Sequence, residues 1–307
     1  MRLFDLHCDT LYECYTKNYP FLKNSGHIDL ERAKRFDAYG QVFAVWIPDE
    51  LRGEAAWDFC RRVLEFADKE EARCGGRIKF MRKGENLDEC FAISPCVGVK
   101  AVEGGAALAG DLSHIDDLAE LGVKLLTLTW NGANELGNGC GIIDGEGLTA
   151  FGKAAVKRLW EVGIVSDVSH LNEAGFWDAA EVLSNGEPFV ATHSNAAAVC
   201  PHPRNLTDRQ FSEIVRRGGV IGLNLCGDFL GEQRIERFER HWAHFLSLGG
   251  EDAVCLGGDL DGITLPPNWD GLAVMERIGD YLCRKNYESR LIEKLFFGNC
   301  YDFLTRL

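Results

Sequence analysis

The 307-residue chain has no two cysteines at CxxC spacing, although it carries twelve of them, scattered from Cys8 to Cys300. That absence argues against a zinc ribbon, a thioredoxin-like site or an iron-sulfur cluster and leaves reduced thiols in a core. Basic charge is scarce: 33 Lys and Arg stand against 47 Asp and Glu, a net charge of -14. Phosphate backbones and anionic lipid repel such a chain, which disfavours nucleic acid and membrane surfaces as partners. There is no run of roughly 18 apolar residues to span a bilayer, no basic and apolar leader, and no lipid-anchor tail in the closing NCYDFLTRL. A cytoplasmic protein is expected. Low-complexity tracts, repeats, Pro/Gly linkers and a nucleotide-type glycine motif are also missing, so residues 1–307 read as one domain.

What is present is an ordinary globular composition, 46% apolar and 26% charged, enough for a sizeable core. Eight short apolar or β-branched runs recur, near 2–6, 41–47, 96–102, 123–129, 163–169, 188–193, 219–225 and 253–258. Amphipathic stretches such as 54–72, 149–162 and 206–218 separate them, the last opened by Thr207 as an N-cap. Strands alternating with helices point to parallel βα units, and eight of them in about 300 residues to a (β/α)8 TIM barrel. A doubly wound open sheet is the alternative.

Six metal-capable side chains fall at the ends of those runs. His7 and Asp9 follow the first in DLHCDT, Glu103 the third in VEGG, His170 ends the fifth, His193 the sixth, and Asp259 follows the eighth in LGGDLDG. In a barrel these ends form the one face on which active sites are built. Each residue alone is explicable as a turn acid or a hydrogen-bonded histidine, but charge at the buried ends of core strands is costly unless paired or bound to metal. His7 and Asp9, two apart on an extended strand, should face one side, with Cys8 pointing away. Imidazole and carboxylate without thiolate favour zinc or a similar divalent ion. Five ligands exceed one tetrahedral ion's needs, so two ions fit better, with Glu103 as the bridge. The remaining histidines, His27, His114, His202, His241 and His244, read as structural.

The ordered set DLHCDT, HIDLERAKRFDAYGQVFAVWI, VEGG, LTLTWN, SDVSH, THSNAAAVCPHPRNLTD, GGVIGLNL and LGGDLDG resembles the membrane (renal) dipeptidase family of the amidohydrolase superfamily, nearly end to end. The resemblance implies a dinuclear zinc barrel that hydrolyses dipeptides, both L,L and L,D, by a metal-bridging hydroxide. It makes His7 and Asp9 ligands of one ion, Glu103 the bridge, and His170 and His193 ligands of the other. It further implies that Arg204 in HPRN holds the substrate carboxylate and that Asp259 shuttles the proton, with Asp261 the less favoured shuttle. Homodimers are usual in the family.

Two positions depart from the renal type. Trp130 stands in LTLTWN where those members have a histidine, and a donor-only indole cannot replace a titrating imidazole. Trp130 and Asn131, or Asn134, are therefore expected on the substrate. After the seventh run, Leu225 and Cys226 replace an aromatic pair. Two rival readings remain: another carboxylate-recognising amidohydrolase, such as an N-acyl amino acid deacylase or lactonase, and a catalytically silent metal-binding barrel.

Overall fold

The computed structural model describes residues 1–307 as an α/β fold built on one parallel sheet. Its strands are β1 (Leu3–Cys8), β2 (Tyr39–Trp46), β3 (Lys79–Phe80), β4 (Cys96–Glu103), β5 (Val123–Thr127), β6 (Val165–Asp167), β7 (Ile221–Leu223) and β8 (Val254–Leu256). The hydrogen-bonded order is β6-β5-β4-β2-β1-β8-β7, with β3 paired to β4 as an outlying two-residue strand. Seven of the eight expected runs thus form strands in one curled sheet.

The expected run at 188–193 is not a regular strand. It makes one parallel bridge to each edge of the sheet, Val190 to Asp167 of β6 and Ala191 to Ile221 of β7. Its path is set by two glycines: a Cβ at Gly222 or Gly257 would collide with the Thr192 carbonyl oxygen. The chain can lie against β7 and β8 here only because those positions have no side chain.

Parity along the strands separates two cores. Phe4, Leu6, Val42, Val97, Val99, Ala101, Leu125, Val165, Val190, Val220 and Cys255 form one cluster, closed by Phe297, Cys300, Phe303 and Leu304 from the C-terminal segment. The opposite parity, with Leu3, Phe43, Val45, Leu126, Ile221, Val254 and Leu256, packs against the surrounding helices such as Glu54–Arg73 and Ile235–Ser247. Cys8 shares the parity of Phe4 and Leu6 yet lies with the outer set, because the register of β1 against β2 shifts by one residue between Asp5 and Cys8. Strands apolar on both faces are what a parallel sheet covered by helices needs.

Candidate active site

At the C-terminal ends of these strands and of the bridged run 188–193 the structure gathers all six expected side chains, and all are buried. The convergence of His7 and Asp9 is not the simple alternation expected. An extra residue enters β1 between Asp5 and Cys8, and Asp9 lies beyond the strand at the head of the helix Thr10–Lys17. The bulge re-aims His7, whose ring stacks on His193 with centroids 3.7 Å apart. The peptide N–H of His7 donates to Asp5 Oδ1 at 2.9 Å, and Gly258 N donates to the same carboxylate, tying the bulge to the turn that carries Asp259. Burial raises the Asp5 carboxyl to about 6, against the lowering effect of these donors.

The two oxygens of Glu103 face different groups. Oε2 is 3.6 Å from His7 Nε2, which lies 3.8 Å from Asp9 Oδ2 and 3.9 Å from Asp259 Oδ1. Oε1 is 2.9 Å from His170 Nε2 and 3.3 Å from His193 Nε2. His7 Nε2 and Asp9 Oδ1 are buried with no hydrogen-bond partner, a state that costs about 1–3 kcal/mol for each neutral group and more for a charged one. Two sets of donor atoms, His7 with Glu103 and His193, and His7 with Asp9 and Asp259, lie close enough to surround an ion.

Electrostatics point the same way. Burial and the nearby Glu103 push the Asp9 carboxyl well above its ordinary range, and burial also raises Asp259. On His7 burial opposes charge, yet Glu103 and Asp9 outweigh it and hold the imidazole well above its usual value. Burial and Arg204 depress His170 to about 4, and burial with His7 depresses His193, so both stay neutral, the form that binds metal. Three crowded carboxylates beside two neutral imidazoles and the single cationic one of His7 form a site short of positive charge, and divalent cations fit it.

The backbone is strained where the side chains meet. His170 has φ +67° and Asp259 φ +58°, the left-handed region that costs L residues about 1–2 kcal/mol. Asp261 shares that conformation, but its carboxylate accepts from His27 N (2.5 Å) and Thr10 Oγ1 (2.6 Å), which commits it to structure. Asp259 is held differently: Oδ2 accepts from Asn224 Nδ2 at 2.9 Å and Oδ1 stays toward His7.

A cavity of about 280 Å³ opens over this cluster, walled by Tyr12, Trp46, Trp130 and Phe229 beside Asp9 and Asp259. Trp130 meets Trp46 edge-on at 5.1 Å, and Trp46 meets Tyr12 edge-on at 4.9 Å. Asn131 borders the cavity too, but its Oδ1 accepts from His170 Nδ1 at 2.8 Å. Its visible partner is therefore a histidine, where the sequence pointed to substrate. Asn134 is taken up by loop bonds to Leu128 O and Leu136 N. Arg204 is buried, with Nη1 on Ser194 Oγ (3.2 Å), Nη2 on His193 O (3.0 Å) and Nε unpartnered.

Asp5, Asp167, Thr192 and Asn224 belong to the site and were not singled out in the sequence. The available signal was a polar residue inside or at the end of an apolar run. Of the histidines read as structural, His241 is fully buried, its Nδ1 accepting from Ala196 N at 3.1 Å and its Nε2 meeting Leu230 O at 3.2 Å. Burial lowers it to about 4, so its stabilising effect is complete above pH 6.5 and is lost as the pH falls toward 4. Over that window the stability difference between wild type and His241→Gln should shrink by up to about 1.4 kcal/mol per pH unit, as chemical denaturation of the metal-free proteins would read. An unchanged difference would sink this assignment.

The sequence profile of the membrane dipeptidase family (peptidase family M19) matches residues 1–305. An uncharacterized protein of Klebsiella pneumoniae, encoded in the pqqA 5' region, is 34% identical over 241 residues, covering 74% of this chain and 88% of its own. The crystal structure of dipeptidase AC, a metallo-peptidase of family M19, superposes with TM-score 0.91 at 31% identity, over 100% of this chain and 98% of that one. A metallo-peptidase from Rhodobacter sphaeroides, liganded with a phosphinate mimic of the dipeptide L-Ala-D-Ala, gives TM-score 0.90 at 30% identity over 100% and 99% of the two chains. With its donor cluster at the strand ends and a family match along nearly its whole length, the chain belongs to the membrane dipeptidase family and is a metallo-dipeptidase.

Proposed function

We propose that this chain is a two-zinc dipeptidase on a closed (β/α)8 barrel, hydrolysing L,L and L,D dipeptides. The observation that carries the reading is Glu103, whose two oxygens face separate donor groups, His7 with Asp9 on one side and His170 with His193 on the other. The bridges from residues 190–191 to both sheet edges support closure of the barrel. Hydrolysis of L,D dipeptides draws support from the ligand of the Rhodobacter relative.

Zinc held by these five residues would supply Lewis acidity, making water nucleophilic near neutral pH and polarising the scissile carbonyl. The remaining work falls to the chain. Arg204, a planar fork with a free Nε beside the cluster, binds the substrate's carboxylate. Asp259 takes a proton from the attacking water and delivers it to the leaving amide nitrogen, while Asn224 fixes which oxygen is free to do so. Trp130 cannot titrate, so it shapes the cavity and takes no part in proton transfer.

Zinc-loaded protein assayed against L,L and L,D dipeptides beside N-acyl amino acids should hydrolyse the dipeptides. Turnover of the N-acyl compounds alone would overturn this reading and favour a deacylase. The structure has no helix long and apolar enough to cross a membrane.

A further inference from the structure

A proton count around Thr192 assigns this residue a role. Asp167, buried at the end of β6, accepts four hydrogen bonds: Ser169 N (2.9 Å) and Thr192 N (3.0 Å) on Oδ1, Thr127 Oγ1 and Thr192 Oγ1 (both 2.6 Å) on Oδ2. A carboxylate accepts only, so the single hydroxyl proton of Thr192 is committed to Asp167. The Thr192 oxygen is left with lone pairs, and it lies 2.8 Å from His193 Nδ1 and 3.3 Å from His7 Nδ1. Those imidazole nitrogens must carry the protons in these contacts. In the neutral form of each ring the consequence falls on the other side, where Nε2 is left bare: that of His193 faces Glu103 and lies 2.8 Å from His170 Nε2, and that of His7 faces Glu103 once the ring has given up its second proton.

We propose that Thr192 is a positioning residue, oriented by Asp167, that holds His7 and His193 in the Nδ1–H tautomer so that both Nε2 lone pairs are ready for metal. One hydroxyl thereby serves a histidine in each half of the site, and it couples the two halves. Asn131 Oδ1 does the equivalent for His170 Nδ1 at 2.8 Å, so three imidazoles are oriented by two oxygen acceptors. The backbone supports this placement, since Gly222 and Gly257 let the Thr192 carbonyl seat against β7 and β8. Partners of this kind fix ring orientation and raise ligand basicity, and their loss commonly costs 10–100-fold in metal affinity. The proposal rests on reading His7 and His193 as metal ligands.

The test uses the full chain. In metal-free wild type labelled with ¹⁵N-histidine, the nitrogen shifts of His193 should show Nδ1 protonated and Nε2 bare, a measurement that needs no variant. Thr192→Val, close in shape, should lose that tautomer preference and bind zinc roughly 10–100-fold more weakly in chelator competition. Thr192→Ser, which keeps the hydroxyl, should restore both. A His193 protonated at Nε2 in wild type, or a folded Thr192→Val that binds zinc as tightly as wild type, would overturn the proposal. Failure of wild type itself to bind zinc would instead overturn the reading of the ligands, and the proposal with it.

Discussion

A Glu103→Gln variant is expected to lose bound zinc on dialysis and to fall by about 10³-fold or more in kcat/KM for dipeptides. Glutamine keeps the shape of the side chain but removes the charge that both donor groups share through Oε1 and Oε2. A unit charge about 4 Å from a cation is worth roughly 4 kcal/mol at an effective dielectric of 20, close to a factor of 10³ in affinity. On the two-zinc reading the loss should exceed this, because each ion would carry two charges and two ions would be affected. Metal content after dialysis and kcat/KM in added zinc measure it. Thermal unfolding of the metal-free protein separates loss of metal from loss of fold. A folded Glu103→Gln that retained two zinc ions and wild-type turnover would show that Glu103 does not bridge them.

The residues most legible in the sequence were those whose position alone reports their chemistry. His7, Asp9, Glu103, His170, His193 and Asp259 each interrupt or end an apolar run, and the convergence of strand ends in parallel βα units brings them together. The β1 bulge was hidden, because LFDLHC reads as a plain strand and only pairing with β2 shows the extra residue. The outlying β3 is two residues long, too short for any periodicity. The run at 188–193 was visible as apolar, yet its backbone bonding depends on glycines that follow it by 30 residues and more, Gly222 and Gly257. Asp5, Asn224 and Thr192 escaped notice for a similar reason: each works through partners distant in sequence, Gly258, Asp259 and His7 respectively. Asn131 was legible as a polar residue at the cavity, but its partner was not, since pairing it with His170 requires the loop after β5 to fold back on the loop after β6.

Asp259→Asn separates two roles that the geometry offers for one carboxylate. Asp259 Oδ1 groups with His7 and Asp9 as a metal donor, yet it also sits at the cavity wall, where a proton acceptor would be placed. If it shuttles the proton, the variant should keep both zinc ions while kcat falls by about 10²–10⁴-fold with KM little changed, the usual contribution of a positioned general acid-base group. Asparagine preserves the shape and can still accept from Asn224 Nδ2 through its own oxygen, so a folding defect is not expected. The pH profile supplies a second readout. Burial raises the Asp259 carboxyl above its ordinary range, partly offset by His7, and the group must be ionised to accept the first proton. That shift belongs to the metal-free site, and cations bound beside the carboxyl draw it back down; in wild type kcat should rise with pH across an acid limb, and in Asp259→Asn the residual rate should lack that limb. A variant that lost one zinc ion would make Asp259 a ligand. One that kept both ions and wild-type kcat would remove it from the mechanism.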